Sequence, residues 1–227
     1  MKNLGELVSF LRRSTSDADE ISDPEDPTIC FACDTDLSNN QTYESLRVCS
    51  DCGFHYNLPA LERIRLLIDS GTFRETNRNL TAAQNPDVSE EPLYSERLAH
   101  AREQTGLSEA VVTGTGELDG IRTAILVLDL GFLGGSMGIV VGEKVSRLFE
   151  HAQRKNLPTI AIVSSGGARI QEGILSLMQM AKTTAAAKGL EDKGLPLITV
   201  TANPTTGQVF ASFANLADII IAEPGSL

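Results

Sequence analysis

Four cysteines place the strongest constraint on how the N-terminal part of this chain can fold. They occur as Cys30-Phe-Ala-Cys33 and Cys49-Ser-Asp-Cys52, a C-x2-C-x15-C-x2-C pattern. Two residues between thiolates let one tight turn present both sulfurs to a single tetrahedral ion, and this spacing is typical of a four-thiolate zinc site. The pattern predicts a zinc ribbon over residues 28–57, in which Cys30, Cys33, Cys49 and Cys52 hold one structural zinc ion.

Two disulfides or an iron–sulfur cluster are the alternative uses of four cysteines. The N-terminus has no uninterrupted apolar segment of the kind a secretory signal peptide needs, which favours a cytoplasmic location and therefore metal binding. His55 lies three residues after Cys52 and could compete as a ligand. Because four thiolates are already available, we expect His55 on the surface or in a turn.

Composition narrows the class of protein further. The chain has 227 residues, 41% of them hydrophobic, and a formal net charge of -11 at pH 7. This length suits one large domain with a small appendage, and the negative charge argues against nucleic-acid binding by counterion release. No apolar run is long enough for a membrane span. Residues 1–27 predict a short amphipathic N-terminal helix followed by an acidic, proline-containing linker.

From Glu109 onward, strand and helix patterns alternate, with small residues between them. Buried-strand runs such as "LPTIAIVSS" lead into three glycine-containing loops, "GGSMG" (134–138), "SSGGAR" (164–169) and "TTGQ" (205–208), and each loop leads toward a helical pattern. Consecutive strand–loop–helix units predict an α/β layer whose loops gather at the strand ends. We therefore expect an α/β domain over residues 109–227, joined to the zinc ribbon by a helical connection over residues 58–108.

The first loop also has the G-x-S-x-G spelling of a serine hydrolase, from Gly134 to Gly138. A hydrolase triad of this type needs an acid and then a histidine downstream of the serine. Only His151 follows Ser136, and it lies on the helix predicted directly after the loop. The hydrolase reading of Ser136 therefore lacks its base.

Such loops can also act through their main-chain N–H groups, which are hydrogen-bond donors. A helix N-terminus offers unpaired donors, and glycine lets a ligand approach the backbone closely, so these loops could stabilise a developing oxyanion. The alternative is that each glycine only permits a tight turn. The presence of three such loops in one domain favours a substrate-binding or catalytic site over three simple turns.

Several segments together resemble a known family. They are the four-cysteine pattern, "LPALERIRLLIDSGTF", "FLGGSMGIVVGEKVSRLFEHA", "SSGGARIQEGILSLMQMAKT" and "PTTGQVFASFANLADIIIAEPGSL". Over residues 28–227 the chain resembles the β subunit of bacterial-type acetyl-CoA carboxylase carboxyltransferase. The resemblance implies a crotonase-like (ClpP/crotonase) ββα-type α/β fold preceded by the zinc ribbon.

The same resemblance implies an activity and partners. The activity is transfer of a carboxyl group from carboxybiotin to acetyl-CoA, which forms malonyl-CoA for fatty acid synthesis. The implied partners are a carboxyltransferase α subunit in an α2β2 heterotetramer, a biotin carboxyl carrier protein that bears the biotin, and biotin carboxylase.

Site residues follow from the resemblance as well. Gly166 and Gly167 would be the enolate donors, at the opening of a helix that begins near Gln171. Arg169 would orient that loop or meet a polar group. The residues that would shape the rest of the substrate pocket are Gly134, Gly135 and Ser136 around the thioester and Gly207 on the far wall.

Two departures from the family pattern keep other readings open. Gly207-Gln208 stands where the family usually has two glycines, and family members continue beyond Leu227, which implies a domain shortened at its C-terminus. The alternatives are a related acyl-CoA carboxylase or decarboxylase subunit, such as one of malonate decarboxylase, and a non-catalytic zinc-ribbon assembly subunit.

Overall fold

The computed structural model describes residues 28–81 and 92–227. The N-terminal helix and acidic linker predicted over residues 1–27 lie outside the described residues. Contacts divide the chain into two compact units, Met1–Tyr56 and Asn57–Leu227. In the described ranges, no helix is both long enough and apolar enough to cross a membrane.

The described part of the first unit contains two cysteine turns of the same design. The Asp34 N–H donates to the Cys30 carbonyl at 2.9 Å, and the Gly53 N–H donates to the Cys49 carbonyl at the same distance. Asp34 and Gly53, each directly after the second cysteine of its pair, have φ of 61° and 70°. This left-handed backbone closes each turn and leaves both sulfurs of a pair on one side.

A short helix and three rings complete the described part of this unit. Helix α1 (Gln41–Leu46) begins after Asn40, whose side chain accepts a hydrogen bond from the Tyr43 N–H at 3.0 Å. Tyr43 packs edge-on against Tyr56, with ring centroids 5.1 Å apart, and Tyr56 packs against Phe54 at 5.0 Å. Among the described residues, the buried cluster consists of Cys30, Leu37, Tyr43 and Cys49, with Ala32, Phe54 and Tyr56 packed against it. A bound metal would add stability to a core of this size.

The second unit is built on a six-stranded sheet. The strands are β1 (Arg74–Thr76), β2 (Val111–Leu118), β3 (Ile121–Leu128), β4 (Thr159–Ser165), β5 (Leu197–Thr205) and β6 (Ile219–Ala222). They lie in sequence order, with β1, β2 and β3 antiparallel and β3 to β6 parallel. Asp119 and Gly120, both with positive φ, form the two-residue turn between β2 and β3.

The described residues of this unit also form five helices, and the last three of them connect the parallel strands. They are α2 (Ala60–Leu67), α3 (Pro92–Thr105), α4 (Ile139–Lys155), α5 (Gly173–Glu191) and α6 (Gly207–Phe210), with 3-10 turns at Leu133–Gly135, Ile170–Glu172 and Phe213–Leu216. Helix α4 packs on α5 and on strands β2 and β3. The buried core lies between these helices and the apolar residues of β3 and β4, which are buried in nearly continuous runs. Because β3, β4 and β5 are parallel, the loops that leave them gather at one edge of the sheet.

Three local expectations differ from the structure. The connection over residues 58–108 contains an edge strand, β1, because Arg74–Thr76 pairs with β2. The spacing of Leu61, Ile64, Leu67 and Ile68 predicts one apolar helix face up to Gly71, whereas helix α2 ends at Leu67 and leaves Leu61 and Leu67 exposed. Helix α5 begins at Gly173, after a 3-10 turn, and not near Gln171.

Candidate functional site

The four cysteine sulfurs of the first unit lie together. All four ligand atoms are within 4.8 Å of one another, and the pairs Cys30–Cys52 and Cys33–Cys49 have Sγ–Sγ distances of 3.7 Å. A tetrahedral zinc ion with Zn–S bonds of about 2.3 Å separates its sulfurs by about 3.8 Å. The observed spacing fits this geometry and is far longer than the roughly 2 Å of a disulfide bond. The four thiols are free cysteines.

The first two glycine loops of the second unit are joined through their main chains. The Gly166 N–H donates to the Gly134 carbonyl at 2.9 Å, and the Met137 N–H donates to the Gly167 carbonyl at 2.8 Å. The Arg169 N–H donates to the Met137 carbonyl at 3.1 Å, which makes a short parallel bridge between the loops. Residues 134–138 and 166–169 therefore form one backbone assembly.

This assembly uses two donors that the sequence analysis expects to be unpaired. The Gly166 N–H is bound to Gly134, and the Gly167 N–H donates to Ser165 Oγ at 3.0 Å. The expectation of unpaired donors fails because a 3-10 turn separates these glycines from helix α5. Within the described residues, the N–H groups of Gly134, Gly138 and Ala168 in these two loops have no hydrogen-bond acceptor. Ala168 lies one position beyond the predicted glycines, and Gly134 and Gly138 are the first and last residues of the other loop.

Close backbone packing explains why glycine occupies key positions here. A Cβ atom at Gly135 would lie 2.1 Å from the Ser164 carbonyl oxygen, so no side chain fits there. Gly167 has φ of 114°, and a Cβ at this residue would lie 3.4 Å from the Gln208 nitrogen and from the Gly207 Cα. The second and third glycine loops therefore meet main chain to main chain.

Ser136 has no catalytic base as a partner. Its hydroxyl donates to the Leu133 carbonyl at 2.7 Å and accepts from Arg169 Nε at 3.2 Å. His151 lies on helix α4, 15 residues along the chain. These contacts fit a loop residue and not the nucleophile of a triad.

Arg169 is fully buried and binds across the loops. Its Nη1 contacts Glu109 Oε1 at 2.6 Å, and its Nη2 donates to the Ser136 carbonyl at 2.9 Å. The guanidinium also lies over the Phe132 ring, 5.7 Å from its centroid. Burial alone would lower the pKa of Arg169, but the Glu109 carboxylate raises it above its usual range. The buried Arg169 side chain therefore connects the first glycine loop, through Ser136, to Glu109.

Tyr94, Glu109 and Glu172 are site residues that the sequence analysis missed. The Tyr94 hydroxyl donates to Glu172 Oε1 at 2.6 Å, and burial raises the pKa of Tyr94, so the phenol remains a donor. Each of these residues is remote in sequence from at least one partner, and no local pattern joins Tyr94 to Glu172. Only the "ARIQE" spacing of Arg169 and Glu172, three residues apart, hinted at a pair.

The departure at Gln208 has a local structural account. The Gln208 side chain is buried and bonds to Ser176 of helix α5, through its Nε2 to the Ser176 carbonyl and its Oε1 to the Ser176 hydroxyl. Gln208 is not among the residues with left-handed backbone. The residue therefore fixes the start of α6 to α5.

Comparisons with known proteins agree on one family. Residues 57–226 match the family described as "Carboxyl transferase domain". A protein of Fusobacterium nucleatum named acetyl-coenzyme A carboxylase carboxyl transferase subunit beta is 46% identical over 200 residues, which cover 88% of this chain and 65% of that protein. A protein of the same name from Clostridioides difficile is 50% identical over 88% of this chain and 69% of its own length. The chain spans about two thirds of the length of these relatives.

A solved structure supports the fold. The transcarboxylase 12S structure with methylmalonyl-coenzyme A bound aligns with a TM-score of 0.60 and 30% identity, over 73% of this chain and 30% of that one. This similarity confirms the predicted α/β, crotonase-like carboxyltransferase fold. The four-cysteine group of the first unit fits the predicted zinc ribbon.

Proposed function

The chain belongs to the carboxyl transferase domain family, and from this premise we propose that it is the carboxyltransferase β subunit of a multi-subunit acetyl-CoA carboxylase. The reaction moves a carboxyl group from carboxybiotin to acetyl-CoA and forms malonyl-CoA. The proposed partners are a carboxyltransferase α subunit, in an α2β2 assembly, the biotin carboxyl carrier protein and biotin carboxylase. Each of the two relatives described above carries the name of such a subunit.

The joined glycine loops are the observation that carries this proposal. Acetyl-CoA must lose an α-proton, and the negative charge then develops on the thioester oxygen. Main-chain N–H groups that are already oriented stabilise such an oxyanion without reorganisation. The unpaired N–H groups of Gly134 and Ala168 belong to two loops that Gly166 and Met137 bind together.

The predicted roles of the glycines take a specific form in this arrangement. We propose that Gly166 and Gly167 form the enolate site by setting the backbone path that presents these donors. Gly134, Gly135 and Ser136 would shape the thioester pocket, and Gly207 its far wall, since Gly207 contacts Gly167. Arg169 would hold the loops and not touch substrate, because its side chain is enclosed.

Biotin would enter on its carrier protein and supply the carboxyl group. Carboxybiotin would give up its carboxyl group to the α-carbon of acetyl-CoA, and the biotin nitrogen would take up the α-proton in exchange. The described residues would contribute binding of the thioester and stabilisation of its enolate charge. No serine nucleophile is required, which agrees with the contacts of Ser136.

Zinc would have a structural role in the first unit. Four thiolates saturate a tetrahedral ion and leave no position for water or substrate. We propose that Cys30, Cys33, Cys49 and Cys52 hold one ion that stabilises the ribbon and takes no part in carboxyl transfer.

Reconstitution tests the proposed function. The purified chain is mixed with a bacterial-type α subunit, carboxylated biotin carrier protein and acetyl-CoA, and malonyl-CoA is measured by mass spectrometry. We expect malonyl-CoA only when both subunits are present. A complex that forms but makes no malonyl-CoA contradicts the proposal.

The same assay separates the alternatives. Malonate or malonyl-thioester decarboxylation in place of carboxylation would assign a decarboxylase subunit. Stable assembly without either product would assign a non-catalytic zinc-ribbon subunit.

A further inference from the structure

A buried group of polar and charged side chains lies between the candidate loops and outside their main-chain chemistry. Its members are Arg169, Glu109, Glu172 and Tyr94, with exposed fractions of 1%, 2%, 5% and 6%. They come from helix α3, the segment before β2, the second glycine loop and the 3-10 turn after it. Enclosed charges are costly to fold unless each has partners, so their contacts are informative.

The Glu172 carboxylate contacts three separate segments. Its Oε2 accepts from the Ile139 N–H at 2.5 Å, at the start of helix α4 directly after the first glycine loop. Its Oε1 accepts from the Tyr94 hydroxyl at 2.6 Å and lies 3.7 Å from Arg169 Nη1. A Cβ at Gly138 would lie 2.5 Å from both carboxylate oxygens, so the first loop packs directly on this group.

Arg169 makes the complementary link. It belongs to the second loop, yet it donates to the carbonyl and the hydroxyl oxygen of Ser136 in the first loop. Glu109 holds the guanidinium from the opposite side at 2.6 Å and also accepts from the Ala110 N–H at 2.9 Å. The two loops are therefore tied twice, once through Arg169 and once through Glu172.

The position of this buried polar group between the two loops indicates a role other than stabilising the fold. A buried ion pair is a poor way to stabilise a fold, since apolar residues of the same volume often do better. The ion pairs of Arg169 lie beside the loops of the proposed oxyanion site. The donors of such a site must be placed accurately, because a displacement of about 1 Å can reduce the rate about 10²-fold. The network fixes the backbone that carries the unpaired donors of Gly134 and Ala168.

We infer that Tyr94 and Glu172 are positioning residues, which act through Arg169 and the Ile139 N–H to hold the two glycine loops in the arrangement needed for enolate stabilisation. This inference rests on the proposed carboxyltransferase function. It assigns a catalytic contribution to helix α3, which lies outside the glycine loops.

The test uses the full zinc-loaded chain reconstituted with its α subunit. Tyr94→Phe removes one hydroxyl and keeps the ring, and Glu172→Gln keeps the size of the side chain but removes its charge. We expect kcat to fall about 10-fold for Tyr94→Phe and about 100-fold for Glu172→Gln, with KM for acetyl-CoA changed less than about twofold. Leu190→Ala, a core change at the far end of α5, supplies a variant of matched or greater thermal destabilisation with kcat near the wild-type value.

A second measurement is independent of activity. Amide hydrogen exchange of the full chain should speed up in residues 134–138 and 166–169 together in both test variants, and in neither segment in Leu190→Ala. Unchanged kcat, or exchange that does not change in the loops, overturns the inference. If the wild-type complex forms no malonyl-CoA, the proposed function fails, while the exchange data still decide whether the network holds the loops.

Discussion

At Gly167 the backbone conformation and the geometry of the candidate site depend on each other directly. The residue has φ of 114°, which side chains of L-residues rarely adopt, and its Cα lies against Gly207. Its N–H is bound by Ser165 Oγ and its carbonyl by the Met137 N–H. A change at this residue therefore moves three segments at once.

We expect Gly167→Val to abolish carboxyl transfer. The branched side chain forces the backbone away from its left-handed conformation and displaces the adjacent Ala168 N–H, and loss of one oxyanion donor typically reduces the rate about 10²–10³-fold. The measurement is malonyl-CoA formation by the reconstituted complex. Zinc content and assembly with the α subunit should stay normal, since the cysteine turns are a separate compact unit.

Ser136→Ala is the matched comparison in the same loops. It removes the hydrogen bonds to the Leu133 carbonyl and from Arg169 Nε, but no covalent acyl-enzyme depends on it. We expect a loss of less than about tenfold and no labelling of the wild-type chain by a fluorophosphonate probe. Near-normal activity in Gly167→Val would show that these glycines only form turns.

Residue roles divide clearly into those the sequence could indicate and those it could not. The cysteine spacing identifies the four candidate metal ligands because two short turns fix the sulfurs locally. The glycine loops are also visible, although their N–H partners are not, since Gly166 bonds to Gly134 over 32 positions. Tyr94 and Glu172 are 78 positions apart, and only the folded chain brings them together.

At the scale of elements, the zinc ribbon and the parallel strands have different sources of stability. Strands β3 and β4 bury nearly continuous apolar runs, whereas the described core of the ribbon is four residues, two of them candidate zinc ligands. Such runs, alternating with helical patterns, make strand and helix positions after residue 109 predictable from the sequence. Strand β1 is not, because its three residues carry no such pattern and form a strand only by pairing with β2.

Zinc removal should therefore unfold the ribbon selectively. We expect one zinc per chain in protein purified without chelators, and loss of structure in residues 28–56 when a strong chelator removes it. Limited proteolysis and near-UV circular dichroism of the tyrosines report this change. Cys49→Ser should show the same proteolysis without chelator, whereas His55→Ala should retain full zinc content. Less than half a zinc ion per chain would contradict the assignment.

At the scale of the whole molecule, net charge and exposed apolar surface act against each other. The formal charge of -11 keeps copies apart at pH 7, and the sequence pI is about 4.7. The described surface nevertheless exposes Ile219, Ile220 and Ile221 of β6, at 52%, 43% and 51%. Exposed apolar strands at a sheet edge favour association between chains.

The isolated chain should consequently self-associate as the pH approaches 4.7. Protonation of surface carboxylates removes the repulsion that opposes contact between the β6 surfaces. Dynamic light scattering between pH 7.5 and 5 measures the effect, and Ile220→Lys should delay it to lower pH. Association that does not depend on pH, or that Ile220→Lys does not change, would exclude this cause.

The contact between Gly167 and Gly207 also affects how substitution data should be interpreted. Both positions have a positive φ that side chains rarely adopt, and a Cβ at Gly207 would also lie only 3.2 Å from the Gly167 Cα. A saturation library selected only for soluble expression should therefore reject substitutions here about as strongly as one selected for growth. Intolerance at these positions measures the strain that a side chain meets in this backbone conformation, and only the difference between the two selections reports on catalysis.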